Sequence, residues 1–150
     1  MDSLAQENDV RGLAEALRPA LLRVSRQLRR EAQRAGASAL DAQLLGVIKK
    51  HPGIGVSDLA DYEQMAKPTM SSHVKRLEEA GWVARDEALA EDRRRVGIRL
   101  TTQGEDALDV IRQRRNDWLA GRLSGLSASD RAALEAAAAP LLRLAGTADG

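Results

Sequence analysis

The chain has 150 residues, a formal net charge of +1, 2% aromatic residues and no phenylalanine, which suits one domain with an aliphatic core and excludes a global basic field. Any affinity for nucleic acid must therefore come from local clusters of cations. With no cysteine, disulfides, thiolate metal sites and thiol redox sensing are excluded, and the lack of a signal peptide or an apolar run near the ~20 residues of a membrane span predicts a cytoplasmic protein with no membrane partner.

Leu13, Leu17, Leu21, Val24 and Leu28 recur at helical spacing, laying an apolar stripe along a first helix that ends before Gly36. Its other face carries Arg11, Arg18, Arg26, Arg29 and Arg30. Pro19 lies within the stripe and predicts a kink or a late start. A second helix, about Ser38 to Lys50, places Leu40, Leu44, Val47 and Ile48 on one side and closes at His51-Pro52-Gly53, where His51 reads as an ordinary helix-end cap.

From Gly53 to Gly81 the pattern is two short helices joined by a tight turn, a unit whose second helix can lie in a DNA major groove. The first, about Gly55 to Tyr62, buries Val56, Leu59 and Ala60. The second starts near Lys67-Pro68, with proline where a first helical turn has no amide partner to lose, and stops at Gly81. Met70, Val74 and Leu77 face the core. Lys67, Pro68, Thr69, Ser71, Ser72, His73, Lys75 and Arg76 lie elsewhere on the helix, with no acid from Lys67 through Arg76. Such a face can meet phosphates and offer hydrogen bonds to base edges. For His73, contact with DNA and simple exposure are equally consistent with its position.

Trp82-Val83-Ala84-Arg85 reads as a strand, and Arg95 to Leu100 as its partner, with Val96, Ile98 and Leu100 on one face and Arg95, Gly97 and Arg99 on the other. The acidic, alanine-containing link Asp86-Glu87-Ala88-Leu89-Ala90-Glu91-Asp92 is long enough for a hairpin tip, and Arg93, Arg94 and Arg95 enter the second strand. Taken alone, this hairpin could be a solvated one whose arginines keep an edge strand soluble. The helix pair before it favours a β-wing that meets a polyanion.

Thr101 or Thr102 can cap the next helix, about Thr102 to Ser124. Ser127 with Asp130 opens a last one, with Leu134, Ala138, Leu141 and Ala145 on one face and Leu144 beside them. The terminal helices are amphipathic, and a stripe without a partner in its own chain normally finds one on another subunit. We therefore expect a twofold homodimer in which Leu13, Leu17, Leu21, Trp118, Leu134, Leu141 and Leu144 contribute to the interface.

Gly53-Ile54-Gly55 before Leu59-Ala60, then Lys67-Pro68-Thr69, Leu77-Glu78-Glu79-Ala80-Gly81-Trp82-Val83, and Asp92-Arg93-Arg94 followed by Leu100-Thr101-Thr102-Gln103-Gly104 together resemble the MarR family of winged-helix transcription regulators. The resemblance covers almost the whole chain, and the Asp-Arg-Arg and Leu-Thr-x-x-Gly element is its most specific part. It implies a mainly α fold with a small β-wing. Residues 1–150 would form a single domain, with a winged helix-turn-helix at about 38–101 flanked by dimerisation helices at about 8–35 and 102–145. It implies that Lys67–Gly81 enters the major groove, that Arg94 is the wing-tip contact in a minor groove, and that Asp92 orients its guanidinium. A narrow minor groove concentrates negative potential, so an inserted arginine fits there. Ala66 departs from the family, which often has serine or threonine at that cap; an alanine forgoes ~1 kcal/mol.

The resemblance also implies a small-molecule effector, an aromatic acid or phenol. Arg112, Arg114 and Arg115 are candidate anion partners, although solvated helix faces explain them more simply. No nucleophile elbow, phosphate-cradling loop, metal-ligand spacing or cofactor motif is present, so no enzyme, metal or cofactor is expected. The reading is a dimeric, sequence-specific regulator that represses promoters by binding a pseudopalindromic operator in double-stranded DNA. The alternatives are a winged-helix protein-interaction module and a non-specific architectural DNA binder.

Overall fold

A computed structural model describes residues 2–86 and 97–146. Its elements, in chain order, are α1 (Asp2–Arg34), α2 (Ala39–Lys50), α3 (Val56–Tyr62), α4 (Lys67–Glu79), β1 (Val83–Asp86), β2 (Gly97–Leu100), α5 (Thr102–Ser124) and α6 (Ala128–Leu144). The architecture is mainly α with one two-stranded sheet, as the periodicities predict. The chain divides into two compact units, residues 1–115 and 116–150. Among the described residues no helix is long and apolar enough to cross a membrane.

Within the first unit, α1 starts at Asp2 and stays helical through Pro19, which overturns the expected late start. A proline removes one amide donor and costs ~3 kcal/mol inside a helix. The flanking Ala, Leu, Arg and Glu residues are strong helix formers, and they carry the helix across. α1 ends as a Schellman turn: Gly36 at φ 86° donates its N–H to Gln33 O, and Ala37 donates to Ala32 O. Only Glu31 and Ala32 of α1 are buried.

Ser38 starts α2 with a reciprocal cap. Its hydroxyl accepts the Asp41 N–H at 3.0 Å, and the Asp41 carboxylate accepts the Ser38 N–H at 3.4 Å. α2 then buries Leu44, Leu45 and Ile48 in one cluster with Leu59 and Ala60 of α3, Met70, Val74 and Leu77 of α4, Val83, Ile98 and Leu108. This cluster is the core on which the helix-turn-helix sits. A smaller cluster of Ala32, Ala37, Ala42 and Ile111, with Ala35 and Trp82 against it, joins the end of α1 to the first turns of α5.

β1 and β2 are antiparallel, pairing Val83 with Leu100 and Asp86 with Gly97. Ile54 bridges to Ile98 on the other side of β2, and Gly53 donates its N–H to Ile98 O at 2.9 Å. Alternation predicts an exposed Gly97, yet it is buried. The backbone of Gly53 lies on it so closely that a Cβ at Gly97 would stand 3.0 Å from Gly53 O.

α5 opens at a cap within reach of β1. The Thr101 hydroxyl accepts the Gly104 N–H at 3.0 Å and donates to Gly81 O, so Thr101 rather than Thr102 is the capping residue. In the second unit, Arg122 lies 5.7 Å from the Trp118 ring centroid. Ser127 caps α6 through the Asp130 N–H, and no residue of α6 is buried.

Candidate nucleic-acid interface

α4 is seated by Met70, Val74 and Leu77, all essentially inaccessible. That rotation leaves Lys67, Pro68, Thr69, Ser71, Ser72, Lys75 and Arg76 exposed and His73 half-buried, the set assigned from spacing. Ala66 stands at the N-cap without a side-chain hydrogen bond, and Pro68 occupies the first turn. Gly81, at φ 82°, reverses the chain into β1. Glu78, the first acid beyond the cationic stretch, is paired at 3.2 Å with Arg85 on β1. Arg99 on β2 is likewise paired at 3.3 Å with Asp86. The strands lead directly into residues 87–96, and Asp92, Arg93, Arg94 and Arg95 lie outside the described residues, as does Val96.

Arg76 is held rather than loose. Its Nη1 donates to Asp41 Oδ2 at 2.8 Å, and its Nη2 lies 2.7 Å from Asp41 Oδ1 as a charge contact. The Asp41 side chain is 7% exposed and that of Arg76 49%. Nη2 also lies 3.0 Å from His73 Nδ1. Burial alone would raise the Asp41 pKa. The hydrogen bond and charge of Arg76, with the bonds from Ser38, outweigh burial and hold the carboxyl below the usual carboxylate range, while Asp41 raises that of Arg76. The contribution of Asp41 to stability is therefore full above about pH 4, its unfolded range. It is lost as pH falls through the depressed folded value. Asp41→Asn is expected to cost about 1 to 2 kcal/mol near neutrality, discounted because Arg76 is half exposed. The acid limb of the urea-derived stability curve should also flatten. A variant with an unchanged acid limb would remove this pair from the account of acid stability.

Asp41 escaped the sequence reading. The Ser38-to-Asp41 spacing announces a helix start, but nothing local links that carboxylate to an arginine 35 positions later. Other assigned residues fall as follows. Arg115 donates Nε to Leu28 O at 3.2 Å, and burial lowers its pKa, so it serves the packing of the first unit; Arg112 and Arg114 are exposed. His51 caps α2 through its backbone N–H to Val47 O and its ring stands 5.9 Å from that of Tyr62. Of the residues expected at a dimer interface, Leu13 is 60% and Leu144 71% exposed. Leu21 and Leu134 are exposed too, while Leu17, Trp118 and Leu141 are half-buried.

A profile of the MarR family matches residues 35–95. The chain is 30% identical over 138 residues to an uncharacterized HTH-type transcriptional regulator of Mycobacterium bovis, a match covering 92% of this chain and 95% of that protein. A solved protein of Pseudomonas aeruginosa has the same fold at a TM-score of 0.78 and 31% identity, over 92% of this chain and 96% of the other. A MepR mutant of Staphylococcus aureus, solved bound to an oligodeoxyribonucleotide, shares the fold at a TM-score of 0.68 and 21% identity, over 87% and 96%. With a seated α4, an antiparallel strand pair behind it and a match of this extent, the chain belongs to the MarR family of DNA-binding HTH-type transcriptional regulators, which are not enzymes.

Proposed function

We propose that this protein is a homodimer that reads a pseudopalindromic operator in cytoplasmic promoter DNA and represses transcription there. The observation that carries the reading is the exposed surface of α4, which offers hydroxyls, an imidazole and cations with no acid from Lys67 through Arg76, next to strands that lead to the Arg93-Arg94-Arg95 run. α4 enters the major groove and the wing reaches the adjacent minor groove through Arg94, oriented by Asp92. The oligodeoxyribonucleotide held by a neighbour of the same fold supports this placement. A second copy of the chain is the partner that the apolar residues of α1 and α6 fit, since they stand exposed on each unit. An aromatic acid or phenolic effector relieves repression by preferring one spacing of the two reading helices, a step that rests on family resemblance.

Selection of duplexes from a random DNA library by the purified protein tests the reading. The expected product is a twofold-symmetric motif with half-sites about one helical turn apart. Enrichment without a motif would favour an architectural binder, and no binding would favour a protein partner. On the selected operator, Arg94→Ala is expected to weaken binding by ~1–3 kcal/mol, the scale of one good groove contact. An unchanged affinity in a titration at fixed salt would take Arg94 off the contact surface. Affinity should also fall steeply with added salt, because each neutralised phosphate releases counterions.

A further inference from the structure

Arg76 lies between a buried carboxylate and the imidazole of His73, and the chemistry of its guanidinium decides what His73 can do. Arginine carries only donors. A 3.0 Å contact from Nη2 to His73 Nδ1 therefore requires Nδ1 to accept, which leaves the ring proton of neutral His73 on Nε2. The guanidinium cannot turn away easily, because Nη1 is bonded to Asp41 Oδ2. Asp41 is buried and fixed in turn by the cap it shares with Ser38. The tautomer is thus set from α2, on a neighbouring helix. The Ser72 hydroxyl beside His73 donates to Pro68 O at 3.2 Å and so spends its own donor within α4.

Resting on the DNA-binding reading above, we propose that His73 is a specificity-determining residue whose Nε2–H donates to a purine N7 in the major groove, with Arg76 and Asp41 as positioning residues that hold it in the donor tautomer. The acceptors available there are purine N7, guanine O6 and thymine O4, whereas cytosine presents a donor. A donor of fixed tautomer distinguishes these, while a freely switching imidazole could satisfy either kind of edge.

The test uses the full-length protein and its selected operator, with each purine replaced in turn by its 7-deaza analogue, which lacks the N7 acceptor. The expected result is a loss of about tenfold, the lower part of the range for one base contact, at one symmetry-related pair of positions. That loss should vanish in His73→Ala. It should persist in His73→Gln, whose amide nitrogen lies near the place of Nε2, and be absent in His73→Asn. Nitrogen-15 spectra of the free protein should show the Nε2–H tautomer in the wild type and a mixed population in Arg76→Ala. Predominance of the Nδ1–H form would overturn the proposal, as would equal deazapurine losses in wild type and His73→Ala at every position. A His73→Ala loss that is uniform across operator sequences would also overturn it, by assigning His73 to a phosphate. Failure of the wild type to bind any selected duplex would instead strike the DNA-binding reading itself.

Discussion

Replacing Gly104 by alanine is expected to destabilise the protein by about 3 kcal/mol or more. Within a helix this exchange ordinarily gains up to ~1 kcal/mol from propensity, so the expected sign is reversed by contact. A Cβ at Gly104 would stand 1.9 Å from Trp82 O and 2.9 Å from Trp82 C, backbone atoms that no rotamer change can clear. Trp82 O also accepts the Thr101 N–H at 3.0 Å, so parting α5 from the start of β1 strains the cap on which α5 begins. Overpacking of this kind costs ~1–3 kcal/mol and occasionally more, and a compromised hydrogen bond adds ~1 kcal/mol. Gly104 is absent from the glycines at positive φ; its requirement is the missing side chain, not a special dihedral. Urea unfolding of both forms at equal protein concentration checks this. A loss below ~1 kcal/mol would mean that the start of α5 shifts freely and that the contact is not a constraint.

Met70→Ala is the second large effect, with an expected loss of ~2–5 kcal/mol. Met70 is wholly buried in the cluster that also holds Leu59, Val74 and Leu77, and its flexible thioether chain fills the seat of α4. Truncation leaves a cavity directly beneath the reading helix. Ser71→Ala, one residue along and exposed, is expected to stay within about 0.5 kcal/mol and serves as the control on the same helix. Comparable unfolding midpoints for the two variants would show that α4 is seated by something other than this side chain.

The readable part of this protein is the part governed by neighbours in sequence. The helix starts near Ser38 and Ser127, the stops at Gly36 and Gly81, and the Met70, Val74 and Leu77 face of α4 each depend on residues within a few positions of one another, and all fall where spacing placed them. The candidate reading face followed from the same periodicity, because a core stripe fixes by subtraction what is left outside. The late start expected at Pro19 failed for the complementary reason. A local breaker rule does not weigh the many favourable helical residues on either side of it.

Helix order and the aliphatic pattern were thus sufficient for the fold class, since helices and hairpin strands are specified by short-range periodicity and capping. The tertiary structure alone decided that Gly97 is buried under Gly53, that Gly104 tolerates no side chain beside Trp82, that Arg115 is tied to Leu28, and that Arg76 is braced on Asp41 against His73. Each of these joins residues 22 to 87 positions apart in sequence, except the Arg76–His73 step within α4. Such contacts depend on how packed elements meet in space, and no local pattern encodes a distance between atoms that only the closed core brings together.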